Sequence, residues 1–95
     1  MAETELTVVM CYDINQAKIR RAVASLLEEK LCRVQMSVFE GRLKNSRADM
    51  LFEKAQKLLV AGDSLRMYVL TATGLEKSRT SGGAPLTTNQ DFWLL

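Results

Sequence analysis

The sequence predicts an α+β plait, and three observations carry that reading. Residues 6–12, LTVVMCY, are apolar and rich in β-branched side chains without alternation, the pattern of a central strand covered on both faces. Two later stretches repeat apolar residues at helical spacing. Between them, residues 31–43 alternate like a strand and then change parity.

The first strand ends in Tyr12 and Asp13, and Asn15 is a good helix N-cap. After it, Ile19, Ala22, Val23, Leu26 and Leu27 form one helical face. In LCRVQMSVFEGRL, Cys32, Val34, Met36 and Val38 alternate with Arg33, Gln35 and Ser37, whereas Phe39 and Leu43 fall on the other register. That slip predicts two strands joined by a tight turn or bulge within residues 36–38. Asn45 or Ser46 can cap a second helix, and Ser46 with Asp49 resembles a capping box. Its stripe is Ala48, Leu51, Ala55, Leu58 and Leu59, with Gly62 as its stop. Residues 65–71 (LRMYVLT) form the last strand of the plait, with Leu65, Met67 and Val69 facing one way and Arg66, Tyr68 and Leu70 the other.

Strand–helix–strand–strand–helix–strand is the ferredoxin-like βαββαβ order, read here as an antiparallel sheet with its two inner strands parallel and both helices on one face. The second sheet face lacks a cover, so a partner subunit packed sheet to sheet is expected. Residues 1–72 are assigned to this domain. From residue 73, TGLEKSRTSGGAPLTTNQ reads as a linker. It leads to DFWLL, a short extra strand whose Phe92, Trp93 and Leu94 suit docking on a sheet edge of a neighbouring subunit or partner.

Composition narrows the chemistry. The chain has 95 residues, 47% hydrophobic and 25% charged, as expected for one soluble domain. No apolar run approaches a membrane span, and the acids at Glu3 and Glu5 do not fit a signal peptide, so the expected location is the cytoplasm. Cys11 and Cys32 lie in strand contexts and read as buried free thiols. There is no histidine, which removes triads and His-ligated zinc and leaves carboxylates, a metal ion and cationic groups.

Asp13 is the leading candidate, because ligands gather outside the carboxyl ends of strands. The alternative is a near-cap for the first helix. Mg²⁺ takes one or two carboxylates with water and phosphate, so one Asp13 makes a poor site, whereas two brought together on a two-fold axis make a better one. Lys18, Arg20 and Arg21 lie on the first helix, Arg33 on the second strand, and Arg42, Lys44 and Arg47 before the second helix. Each alone reads as a solvated charge; several on one side would track phosphates. Gln35 and Ser37 could line a substrate groove at the strand turn.

VVMCYDI and, about twenty residues later, RVQMSVFEGRL resemble the motif pair of the small CRISPR-associated adaptation proteins, the Cas-two family, over residues 6–71. EEKLCRV departs from the family pattern by lacking a glycine before the second strand, and the tail matches no family pattern. The resemblance implies a homodimer with Asp13 as catalytic and metal-holding residue for Mg²⁺, and metal-dependent endonuclease activity on RNA or DNA; with one carboxylate per chain the catalytic set is thin, and low turnover is expected. It implies a bridging role in spacer acquisition between dimers of the Cas-one integrase, on double-stranded DNA. Arg20 and Arg21 fall where family arginines contact the DNA backbone, and Arg33 and Ser37 would assist at the nucleic acid. A toxin-type ribonuclease of a related ferredoxin-like family is the alternative.

Overall fold

The structure is a computed structural model that describes residues 4–86. The elements are β1 (Glu5–Asp13), α1 (Ala17–Glu28), β2 (Cys32–Gln35), β3 (Val38–Lys44), α2 (Asn45–Gln56), β4 (Ser64–Leu70) and α3 (Ala72–Lys77). Phe92, Trp93 and Leu94, with the strand expected there, lie outside the described residues.

The strands form one sheet in the order β2-β3-β1-β4, with every neighbouring pair antiparallel. The ferredoxin-like plait is present, but its inner strands β1 and β3 are antiparallel, not parallel as expected. Topology requires this. The α1 crossover returns β2 parallel to β1, and the β2–β3 hairpin then reverses direction. Met36 and Ser37 form the hairpin turn, and the register shifts between Arg33 and Gln35, which accounts for the parity slip in the sequence.

Alternation along β1 sends Val8, Met10 and Tyr12 to the helix side, where they are buried with Phe39 and Leu43 of β3. Val23, Ala24 and Leu27 of α1 and Ala48, Leu51 and Ala55 of α2 close over them. Ala22, expected in that stripe, is exposed. Gly41 explains the glycine of the FEG motif. It faces the helix side of β3, and a Cβ there would stand 2.7 Å from Leu31 Cδ2.

Neither long helix uses the caps expected of it. Gln16 and Lys44 occupy the N-cap positions, both without a side-chain cap hydrogen bond, and Asn45 is already helical. α2 ends before Leu58 and Leu59, which leave through tight turns to Ala55 O (3.0 Å) and Gln56 O (3.1 Å). Gly62 sits not at a helix end but in the following turn, at φ +91°. α3 replaces the first part of the expected linker: Thr71 caps it by accepting from Gly74 N–H at 2.9 Å, and Ser78 Oγ donates to Gly74 O at 2.7 Å.

The second sheet face carries Thr7, Val9, Cys11, Val38, Glu40, Arg66 and Tyr68 by alternation. Leu75 of α3 and Leu86 share a cavity there with Thr7, Arg42 and Leu70. Thr7 is buried but satisfied: Arg42 Nη1 donates to its Oγ1 at 3.1 Å, Nη2 donates to Glu5 O at 3.0 Å, and Nε lies 3.9 Å from the Glu5 carboxylate. Cys11 is half-buried and Cys32 is exposed, so the expectation of two buried thiols holds only loosely for Cys11. Exposure of Cys32 follows from its place on β2, the short edge strand.

Candidate nucleic-acid and metal-facing site

Asp13 is the last residue of β1 and pairs in register with Ser64 of β4. Its side chain is exposed, and alternation puts it on the sheet face away from α1 and α2. It does not cap α1, because Gln16 holds that position three residues later. Among the described residues, no hydrogen bond or ion pair engages its carboxylate. Capping therefore gives no structural reason for an acid at this strand end.

The backbone that follows Asp13 is held from two directions. Arg20 Nη1 donates to Ile14 O at 3.0 Å and, at 3.4 Å, to Asn15 O. On the other side, Asn15 N–H donates to Asp63 Oδ1 at 3.2 Å, while Val60 N–H donates to Asp63 Oδ2 at 3.1 Å. The sequence signal for Asp63 is slight, a Gly62-Asp63 dipeptide of the kind found in turns.

The arginines converge elsewhere. Arg20, Arg21 and Arg33 line one groove with Tyr12, Ala24, Ser25, Glu28 and Met36, of cavity volume about 320 Å³. Arg21 thus joins a shared surface with the hairpin. Three guanidiniums face one carboxylate, Glu28, so the groove is cationic. Arg33 stacks on Phe39 with its Cζ 5.1 Å from the ring centroid, and its Nη2 donates to Tyr12 Oη at 3.5 Å. Tyr12 Oη in turn donates to Met36 O at 3.4 Å, and Tyr12 N–H donates to Ser37 O at 3.1 Å. Ser37 therefore sits at the hairpin turn beside the end of β1. Tyr12 and Phe39 carry no sequence signal beyond that of strand residues, yet they set the position of Arg33.

Asp13 is not among the residues that line the arginine groove. Arg42 is committed to Thr7 and Glu5 on the opposite sheet face and does not join it either. Arg66 faces the uncovered side, where the hydrogen bond it donates to Tyr68 Oη at 2.9 Å holds its guanidinium pKa above the ordinary arginine value. It is a fixed cation on that face.

The donor set limits what a metal could use. Among the described residues no group of three or more His, Cys, Asp or Glu could hold an ion. Each chain offers Asp13 as one exposed, unengaged carboxylate. Such a donor fits Mg²⁺ in a largely hydrated, phosphate-assisted site or one shared with a second copy, and does not fit a closed all-protein cage. Among the described residues no helix is long and apolar enough to cross a membrane.

Relatives agree with this architecture. The chain is 36% identical over 89 residues to the CRISPR-associated endoribonuclease Cas2 2 of Synechocystis sp., covering 92% of this chain and 96% of that one. A hypothetical protein from Thermus thermophilus superposes with a TM-score of 0.74 at 33% identity, over 86% of this chain and 96% of its own. A chain of a partial Cas6-RT-Cas1–Cas2 complex does so at 0.71 and 28%, over 85% of this chain and 90% of its own. The family model for CRISPR associated protein Cas2 matches residues 6–78, a span that runs from the start of β1 through α3, and the chain belongs to that family.

Proposed function

We propose that this protein is a dimeric bridge of CRISPR spacer acquisition that binds the DNA backbone and works with a Cas1 integrase. The observation that carries the reading is the convergence of Arg20, Arg21 and Arg33 on one groove, opposed there only by Glu28. Phosphate tracking needs several cations on one side, and the groove supplies them on rigid elements. Support for the integrase comes from the structurally similar chain in a Cas1–Cas2 complex. Support for the dimer comes from the sheet face opposite α1 and α2, where Tyr68 is 49% exposed among Val9, Cys11 and Val38. The Phe92–Trp93–Leu94 tail is the element proposed to dock on a neighbouring subunit or on the integrase.

A second reading, Mg²⁺-dependent phosphodiester hydrolysis of low turnover, is favoured by one observation: the Asp13 carboxylate is exposed and bonded to nothing among the described residues. Asp13 from each of two copies would hold the ion, which when bound polarises the phosphoryl group and acidifies a water. The chain itself would orient substrate, through the Ser37 turn at the end of β1. The family match favours the adaptation reading over the toxin-type alternative.

The test is Asp13→Asn in a spacer-acquisition assay with Cas1. Acquisition that survives the substitution supports the bridge alone. Acquisition that is abolished, with dimer and Cas1 complex intact, replaces the pure bridge by a role for the acid. Duplex binding that does not weaken steeply with salt would remove the backbone-tracking claim.

A further inference from the structure

We propose that Asp63 is a positioning residue for Asp13, acting through the backbone of the β1–α1 connection. This rests on the reading of Asp13 as the metal-facing acid. The Asp13 carboxylate makes no bond of its own among the described residues, so what the fold fixes is its backbone and with it the point from which the side chain projects. Side chains that act on a metal or phosphate need a supporting shell to hold their geometry. Around Asp13 that shell bonds not to the acid but to the two residues after it.

The clamp has two jaws. Arg20 reaches back from the first turns of α1 to the carbonyls of Ile14 and Asn15, at 3.0 and 3.4 Å. Asp63 comes from 48 residues further along the chain and accepts the Asn15 N–H at 3.2 Å. One group thus holds carbonyls and the other an amide. Asp63 is itself fixed, because its second oxygen accepts Val60 N–H at 3.1 Å and its own N–H donates to Val60 O at 3.0 Å. That turn depends on Gly62 at φ +91°, a conformation that side-chain-bearing residues rarely adopt. Asp63 is half-buried as a residue, and both of its bonds to backbone amides lie at the surface, so their hold comes from the paired geometry and the carboxylate charge.

The same contact ties the exit of β1 to the entry of β4. Asp13 pairs with Ser64, and Asp63 immediately precedes Ser64. Any slack at Asp63 is therefore passed to Asp13 by two routes, the ladder and the Asn15 amide. Arg33, Tyr12 and Phe39 stiffen the other side of the strand end but do not bond to this loop.

The experiment compares full-length wild-type protein with Asp63→Ala, Asp63→Asn and Asp13→Asn, using Mn²⁺ as the probe. Calorimetry or electron paramagnetic resonance gives the Mn²⁺ Kd, hydrogen exchange gives protection at Asn15 and Val60, and anisotropy gives the duplex DNA Kd. In Asp63→Ala the Asn15 and Val60 amides exchange faster and the Mn²⁺ Kd rises about tenfold, the scale of losing a supporting-shell partner. Duplex affinity, carried by the arginine groove, stays within about twofold. Asp63→Asn, which keeps one acceptor oxygen, gives a smaller shift in the same direction and serves as the comparison should Asp63→Ala fail to fold. If Asp13→Asn abolishes Mn²⁺ binding while the Asp63 variants bind it as wild type does, the positioning role is overturned and the role of Asp13 stands. Wild-type Mn²⁺ binding that is absent, or untouched by Asp13→Asn, overturns the reading of Asp13 and this proposal with it.

Discussion

The Arg33 guanidinium lies over the Phe39 ring, 5.1 Å from its centroid, and so spends part of its binding capacity inside its own fold. Phe39 is fully buried and Arg33 is exposed, so the pair joins the core to the surface at the β2 edge. Together with Tyr12 it holds the hairpin turn whose carbonyls at Met36 and Ser37 both receive bonds from Tyr12.

Removal of Arg33 is therefore expected to act on stability as well as on nucleic acid. Arg33→Ala should lower unfolding stability by about 1 kcal/mol, the scale of an exposed cation–π contact. Arg33→Lys should recover the charge but not the planar stack, and so only part of the loss. Urea denaturation of the three proteins measures this; equal stability of wild type and Arg33→Ala would show that the stack contributes nothing.

Gly41 should tolerate no side chain while Leu31 stays. A Cβ at Gly41 would lie 2.7 Å from Leu31 Cδ2 and 3.4 Å from both Leu31 Cα and Lys30 O. Leu31 is only 5% exposed, so its side chain has little room to withdraw. Gly41→Ala is expected to cost about 1–3 kcal/mol, the range for overpacking. Leu31→Ala alone should cost about 2–5 kcal/mol as a cavity. In the Leu31→Ala background, Gly41→Ala should become nearly neutral, and a double-mutant cycle by chemical denaturation reads that coupling.

These two sites show what the sequence made legible. The apolar β1 run and the parity slip within residues 36–38 express short-range rules of pleat, so they could be read from order alone, whereas the need for glycine at Gly41 comes from the approach of Leu31 and could not. The direction of β3 against β1 could have been derived by following the chain through its crossover and hairpin. α3 escaped because Thr71-Ala-Thr-Gly caps a six-residue helix with glycine where a capping box has an acid, and glycine reads as loop. Asp13 was legible as an anomaly, an acid ending a buried strand. The contact between Asp63 and Asn15 was not, since 48 residues separate the partners and only the fold brings them together. Arg20 is marked as a phosphate contact only by the family resemblance; that its Nη1 also binds Ile14 O depends on the path of a loop that no periodicity encodes.

Asp13 should be separable from folding. Its carboxylate has no partner among the described residues, so Asp13→Asn is expected to change unfolding stability by less than about 0.5 kcal/mol. Thermal unfolding in the absence of divalent ions measures this. Added Mg²⁺ should raise the wild-type Tm more than that of Asp13→Asn, because only a ligand bound by the native state stabilises it. Equal shifts in both proteins would detach the acid from the ion.

Arg20 and Arg21 are neighbours in sequence but should behave differently. Both line the groove with Arg33, yet only Arg20 also binds backbone carbonyls of the β1–α1 connection. Arg21→Ala is expected to reduce the magnitude of the salt slope of duplex binding by about 1 while leaving Tm unchanged, as for loss of one phosphate contact. Arg20→Ala should reduce the slope similarly and also lower stability by about 1 kcal/mol, because a charge-assisted bond to the part-buried Ile14 carbonyl is lost together with a longer, exposed one to Asn15 O. Arg20→Lys keeps a cation near the groove but cannot present the planar guanidinium that reaches both carbonyls, so the slope should recover more than the stability does. Duplex titrations across a salt series, set beside melting curves of the same proteins, separate the two roles; identical behaviour of Arg20→Ala and Arg21→Ala in both measurements would mean that the carbonyl contacts of Arg20 carry no weight.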